Sequence, residues 1–222
     1  MKLARLFLLL VPVMLALPVG AAPSAQEPDP LSRLDPSSRY AIEVMMDSAG
    51  RLGLPPEALL SKTLEGVRKG HPSARVVQVV RRYFGYLRDA RAALGPDASP
   101  DELTAAAGAL LAGVDRSSLA KLRPSRKNRS ILTPLVVLAD LVSRGVPSSE
   151  ASSAIIRWLQ GGAADSDFMG LWKGVEEDII SGAPPAAALD RRAREIPGRA
   201  PPGGRLPPTA PTPQRSPENL SS

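Results

Sequence analysis

The chain has no cysteine in 222 residues, one histidine and only eight aromatic side chains. Without thiols there is no disulfide, no thiolate nucleophile and no Cys-ligated metal, so stability must come from packing. A lone His71, set in a Gly-His-Pro turn, cannot assemble the usual zinc site and has no Ser or Cys nucleophile motif beside it. Glycine-rich phosphate cradles are missing: Gly161-Gly162 and Gly203-Gly204 are isolated pairs with no Walker lysine. No cofactor and no metal site are therefore expected. The scarcity of aromatics, with Ala and Leu dominating a 43% hydrophobic content, favours packed helices over a β-sandwich.

What is present begins with an export signal. Lys2 and Arg5 form a positive n-region, Leu6 to Leu17 an apolar stretch, and Val19-Gly20-Ala21 a small-residue cleavage site. The apolar stretch falls well short of the ~20 residues that span a bilayer, so residues 1–21 read as a cleavable signal peptide. The mature protein is then periplasmic or secreted, and no transmembrane segment is expected in it. Losing Lys2 and Arg5 takes the formal charge from +6 to a milder +4. Residues 22–35 read as a short linker. Residues 197–222 hold eight prolines and only two large apolar residues, Leu206 and Leu220. Such a Pro/Arg-rich segment buries too little surface to offset its ordering entropy, which predicts a disordered tail.

Between them, residues 36–196 carry helical periodicity. Val76, Val80, Tyr83, Leu87, Ala90 and Leu94 fall on one face of a predicted helix, with Arg75, Gln78, Arg81, Arg82 and Arg88 opposite. Asp35-Pro36 and Ser99-Pro100 are helix starts, and Ser99 with Glu102 matches a capping box. Gly53, Gly70, Gly113, Gly145, Gly162 and Gly182 follow apolar runs as helix stops. The pattern predicts an all-α domain of eight or nine short helices.

Shifted by 92 residues, Gly53-Leu54-Pro55 falls on Gly145-Val146-Pro147 and Gly70 on Gly162. Val76 then meets Phe168, and Val80 meets Trp172. This predicts two pseudo-repeats, 36–94 and 128–186, arranged as a pseudo-duplicated helical bundle or a short α-solenoid. The run from Gly53 to Gly66, with the following Lys69-Gly70-His71-Pro72, resembles a pattern in uncharacterised secreted all-helical proteins of high-GC bacteria. That resemblance implies export and a helical fold; it brings no activity and no site residues.

Candidate chemistry is thin. Glu43 and Asp47 sit four apart on one helix, Glu176 to Asp178 form an acidic run expected on a solvated face, and Trp158 and Trp172 read as core. One segment stands out. From Arg116 to Ala139 there is no acidic side chain, while Arg116, Lys121, Arg123, Arg126, Lys127 and Arg129 are basic. Pro124 and Ser125 predict an exposed turn there. These six residues form a candidate patch for an anionic envelope component or an acidic protein surface. Aromatic interleaving is absent, so nucleic acid is not an expected partner. The function these features suggest is an exported, non-enzymatic helical interaction module. The alternative is a cell-envelope hydrolase with paired carboxylates in a groove between the repeats.

Overall fold

The computed structural model describes residues 30–194. The export signal and the Pro/Arg-rich tail read above lie outside them. A 3-10 turn, Pro30–Arg33, precedes nine α-helices: α1 Pro36–Arg51, α2 Pro56–Arg68, α3 Ser73–Leu94, α4 Pro100–Ala112, α5 Arg116–Ser125, α6 Leu132–Ser143, α7 Ser148–Gln160, α8 Asp165–Ile180 and α9 Pro185–Ala193. No strand occurs among the described residues, so the fold is all-α.

Local chemistry sets the helix ends. The Asp35 side chain accepts from the Ser38 N–H at 2.9 Å, with Pro36 at the first helical position. The Ser99–Glu102 capping box is formed in both directions, at 3.0 and 3.2 Å. Among the described residues, six of the nine helix stops, those of α1, α2, α4, α6, α7 and α8, share one motif. Gly53 and Gly145 take positive φ of 65° and 93°, which only glycine adopts without steric cost. The next residue then donates back across the last turn, Leu54 to Ala49 O and Val146 to Leu141 O, while its own side chain is buried. This is the Schellman arrangement with its hydrophobic contact.

Helix boundaries follow the 92-residue offset closely. Pro56 and Ser148 begin α2 and α7, Arg68 and Gln160 end them, and Ser73 and Asp165 begin α3 and α8. The exceptions are the start of α6, one turn later than that of α1, and the end of α8, short of that of α3.

Tertiary packing runs along the chain. The principal helix contacts join α1 to α2 and α3, α2 to α3, α3 to α4 and α5, α4 to α6, α5 to α7, α6 to α7 and α8, and α9 to α7 and α8. Each pairs helices adjacent or next but one in order, the connectivity of a solenoid. Residues 36–94 and 128–186 meet mainly through α4 and α5. The core is accordingly a continuous strip, including Ile42, Leu59, Leu87, Leu103, Leu135, Ile155 and Phe168, all fully buried. Each such side chain contributes about 1.5–3 kcal/mol relative to exposure.

Candidate functional site

The structure divides the six basic residues of the 116–129 segment. Helix α5 continues through Pro124 in its last turn, and the break comes after it, where Asn128 takes φ of 59°. The exposed turn expected at Pro124-Ser125 is thus displaced toward Asn128: Pro124 removes one hydrogen bond near the end of α5 without ending it.

Arg123 and Arg126 point inward. Arg123 pairs with Glu102, which is only 3% exposed. One Glu102 oxygen accepts from the Ile131 N–H at 2.9 Å and the Ser130 hydroxyl at 3.2 Å; the other accepts from Ser99 N–H and Arg123. Burial pushes the Glu102 carboxyl up, but the Ile131 and Ser99 amides and Arg123 outweigh it, holding the group below its ordinary value. Arg126, 6% exposed, donates to Asp165 at 2.6 Å and to Ser130 O at 2.9 Å. These two arginines lock α4, α5, α6 and α8 together. Arg116 stays on the surface, 3.5 Å from Asp89. Lys121, Lys127 and Arg129 are exposed and their side chains have no partner among the described residues.

A larger group of unmatched cations lies elsewhere. Residues 36–94 contain ten basic and five acidic residues, whereas 128–186 contain four and seven. Most of the acidic excess is matched internally. Asp178 takes a bidentate pair from Arg192 at 2.9 and 2.7 Å, Glu176 takes Arg144 at 2.8 Å, and Asp165 takes Arg126. The run 176–178 is therefore largely a packing joint, not the solvated face expected; its partners come from α9 and the α6–α7 turn, which the local pattern does not reveal. In the basic half, Arg68, Arg75, Arg81, Arg82 and Arg88 are exposed and make no hydrogen bond or ion pair among the described residues. The helical period places them on the solvent side; that no carboxylate meets them is a tertiary fact.

Two grooves among the described residues are of interest. One, about 520 Å³, runs between α7 and α9 and is lined by Glu150, Arg157 and Asp190 among others. The Asp190 carboxyl is held below its ordinary value by Arg194. The second, about 250 Å³, lies where α2, α3 and the end of α4 meet, with Lys62, Glu65, Lys69, His71 and Arg75 around it. Lys62 and Lys69 both hold Glu65, at 2.6 and 2.5 Å, and their hydrogen bonds lower its carboxyl to about 2. His71 thus lines a groove. No group of three or more His, Cys, Asp or Glu residues placed to hold a metal occurs among the described residues, and none of their helices is long and apolar enough to cross a membrane. Comparison with family models, curated proteins and solved structures finds no match for this chain.

Proposed function

We propose that the chain is an exported, non-enzymatic helical interaction module of the periplasm or cell envelope whose basic half binds an anionic partner. One observation carries this reading: five exposed arginines on α2 and α3 have no partner among the described residues, while the acidic half of the domain is largely neutralised from within. Unmatched charge on a rigid helical face attracts opposite charge over about a Debye length, ~8 Å at physiological salt. The solenoid-like connectivity supports it as well, since such arrays present extended faces rather than enclosed sites. Lys121, Lys127 and Arg129 extend the same cationic character on α5 and the turn after it.

The hydrolase alternative has less support. Glycoside hydrolysis needs one carboxyl kept protonated beside an ionised partner. Every carboxyl with a resolved shift here, including Glu65 and Asp190 in the two grooves, is shifted down. Glu43 is paired with Arg39 at 3.0 Å.

The test replaces Arg75, Arg81, Arg82 and Arg88 together by glutamine and measures retention on an anionic matrix at low and high salt. Parent protein is expected to be retained more strongly at low salt, with the difference vanishing at high salt. Equal retention at both would remove the basis for this function.

A further inference from the structure

The groove at the α2–α3–α4 corner combines two chemistries that the remaining cationic surface does not. Its rim is basic: Lys62, Lys69 and Arg75 face a single carboxylate, Glu65. Its apolar lining includes Val79 and Leu111, left 42% and 48% exposed. Gly66 opens this corner. A Cβ there would sit 3.0 Å from a Val76 methyl, so the missing side chain lets α3 close against α2 and brings the valines of α3 under the lysines of α2. The Lys62 ammonium is further fixed 5.5 Å from the centre of the Tyr83 ring, a cation–π distance.

Resting on the reading above, we propose that this groove takes an acidic protein segment, seating one leucine-sized side chain against Val79 and Leu111 while its carboxylates meet Arg75 and Lys69. Volume favours an anchor side chain: about 250 Å³ falls below the ~300–1,000 Å³ of small-molecule pockets. An anionic polysaccharide or polyphosphate has no apolar group to bury on the two exposed residues. A bilayer surface cannot enter a concavity between helices. An apolar anchor in a pocket with a charged rim is how protein interfaces concentrate their affinity. Glu65 plays the opposing part. It occupies both lysines and repels an acidic ligand, so the groove is partly self-neutralised.

The experiment titrates the full chain with two labelled glutamate-rich peptides, identical except that one carries a central leucine and the other a serine. Fluorescence anisotropy is read at low and high salt. The leucine peptide is expected to bind about ten-fold more tightly, the return for partial burial of one leucine side chain. Leu111→Ser, a change at a half-exposed site, should erase that preference, and Val79→Ser should reduce it. Glu65→Gln should tighten both peptides by freeing Lys62 and Lys69. If both peptides bind the parent equally at low salt, the groove is not an anchor site, although the anion-binding reading survives. If neither peptide binds and the anionic matrix fails as well, both fall.

Discussion

Residues 36–94 and 128–186 use the same turns and close their packing by opposite means. In the first half Gly66 faces Val76 so tightly that a Cβ would come within 3.0 Å of it, and α2 lies close against α3. The positions 92 residues later are Trp158 and Phe168, whose ring centroids stand 6.0 Å apart at 49°. Two aromatic rings hold the α7 and α8 backbones apart, and the Trp158 indole donates to Ala193 O at 3.1 Å, drawing in α9. The polar joints differ in the same sense. Asp140, Arg144, Trp172 and Glu176 form a bonded cluster between α6 and α8, where the corresponding first-half residues are Ser48, Leu52, Val80 and Phe84. One half spends its charges internally; the other leaves them on the surface. The turns fix where the helices begin, and the side chains between them decide whether a half becomes a sealed joint or an open face.

The largest expected effect comes from the aromatic wedge. Trp158→Ala should cost about 3–5 kcal/mol, the range for emptying a buried aromatic site, read as a shift in the urea midpoint. It removes the contact with Phe168 and the bond to the end of α9 together. A loss below about 1 kcal/mol would mean that α7, α8 and α9 are held by something else, and the contrast between the halves would lose its cause.

Next is the joint between them. Glu102→Ala should cost about 3 kcal/mol, because it leaves Arg123 unpaired and the Ser99 and Ile131 amides without an acceptor. The same carboxylate gives acid sensitivity a sign. Its folded pKa lies below its unfolded value, so its stabilisation is present above about pH 4.3 and is lost as pH falls toward the lowered value. Asp115, whose side chain caps α5, is lowered to about 2 by its bonds to Ser117 and Ser118 and acts in the same direction. Urea midpoints followed from neutral pH down to about pH 2 should fall less steeply for Glu102→Gln than for the parent; parallel curves would show that Glu102 is not the titrating link.

These residues also show where sequence is legible. Ser99 and Glu102 announce a capping box because that motif is local, and both bonds are present. The glycines at 53 and 145 announce turns for the same reason, and the buried face of α3 follows from period alone. What sequence cannot show is the second use of Glu102, which meets Arg123 of α5 and the Ile131 N–H at the start of α6. The basic segment read as one exposed patch is therefore split. Arg123 and Arg126 are consumed by carboxylates far away in sequence, whereas Arg75, Arg81, Arg82 and Arg88 of α3, an ordinary polar face by pattern, remain unmatched among the described residues. Pairing is a tertiary property, and a run of like charge carries no sign of it.

Gly66→Leu tests the first half from the opposite direction to the tryptophan truncation. It overpacks the α2–α3 contact against Val76, with an expected cost of about 1–3 kcal/mol. Better helix propensity offsets this by about 1 kcal/mol or less. A stabilised variant would show that α2 and α3 can spread as α7 and α8 do, and that the close packing is incidental.

The smallest effect on stability is the one most tied to function. Replacing Arg81, Arg82 and Arg88 by glutamine should leave stability within about 0.5 kcal/mol of the parent, as for surface changes away from specific contacts. The three side chains have no partner among the described residues, glutamine is nearly as good a helix former, and removing like charges from one helix relieves mutual repulsion. The thermal midpoint should therefore hold or rise slightly. The matching change in the acidic half, Arg144→Gln, should lower it, since Asp140 and Glu176 lose their shared cation and Trp172 loses the guanidinium 5.8 Å from its ring centre. If the α3 triple variant proves the more damaging of the two, its arginines hold structure together and the basic face is not free for a partner. If it keeps the parent's midpoint but loses retention on the anionic matrix, the charges there serve binding and not the fold, which is the asymmetry between the halves expressed as function.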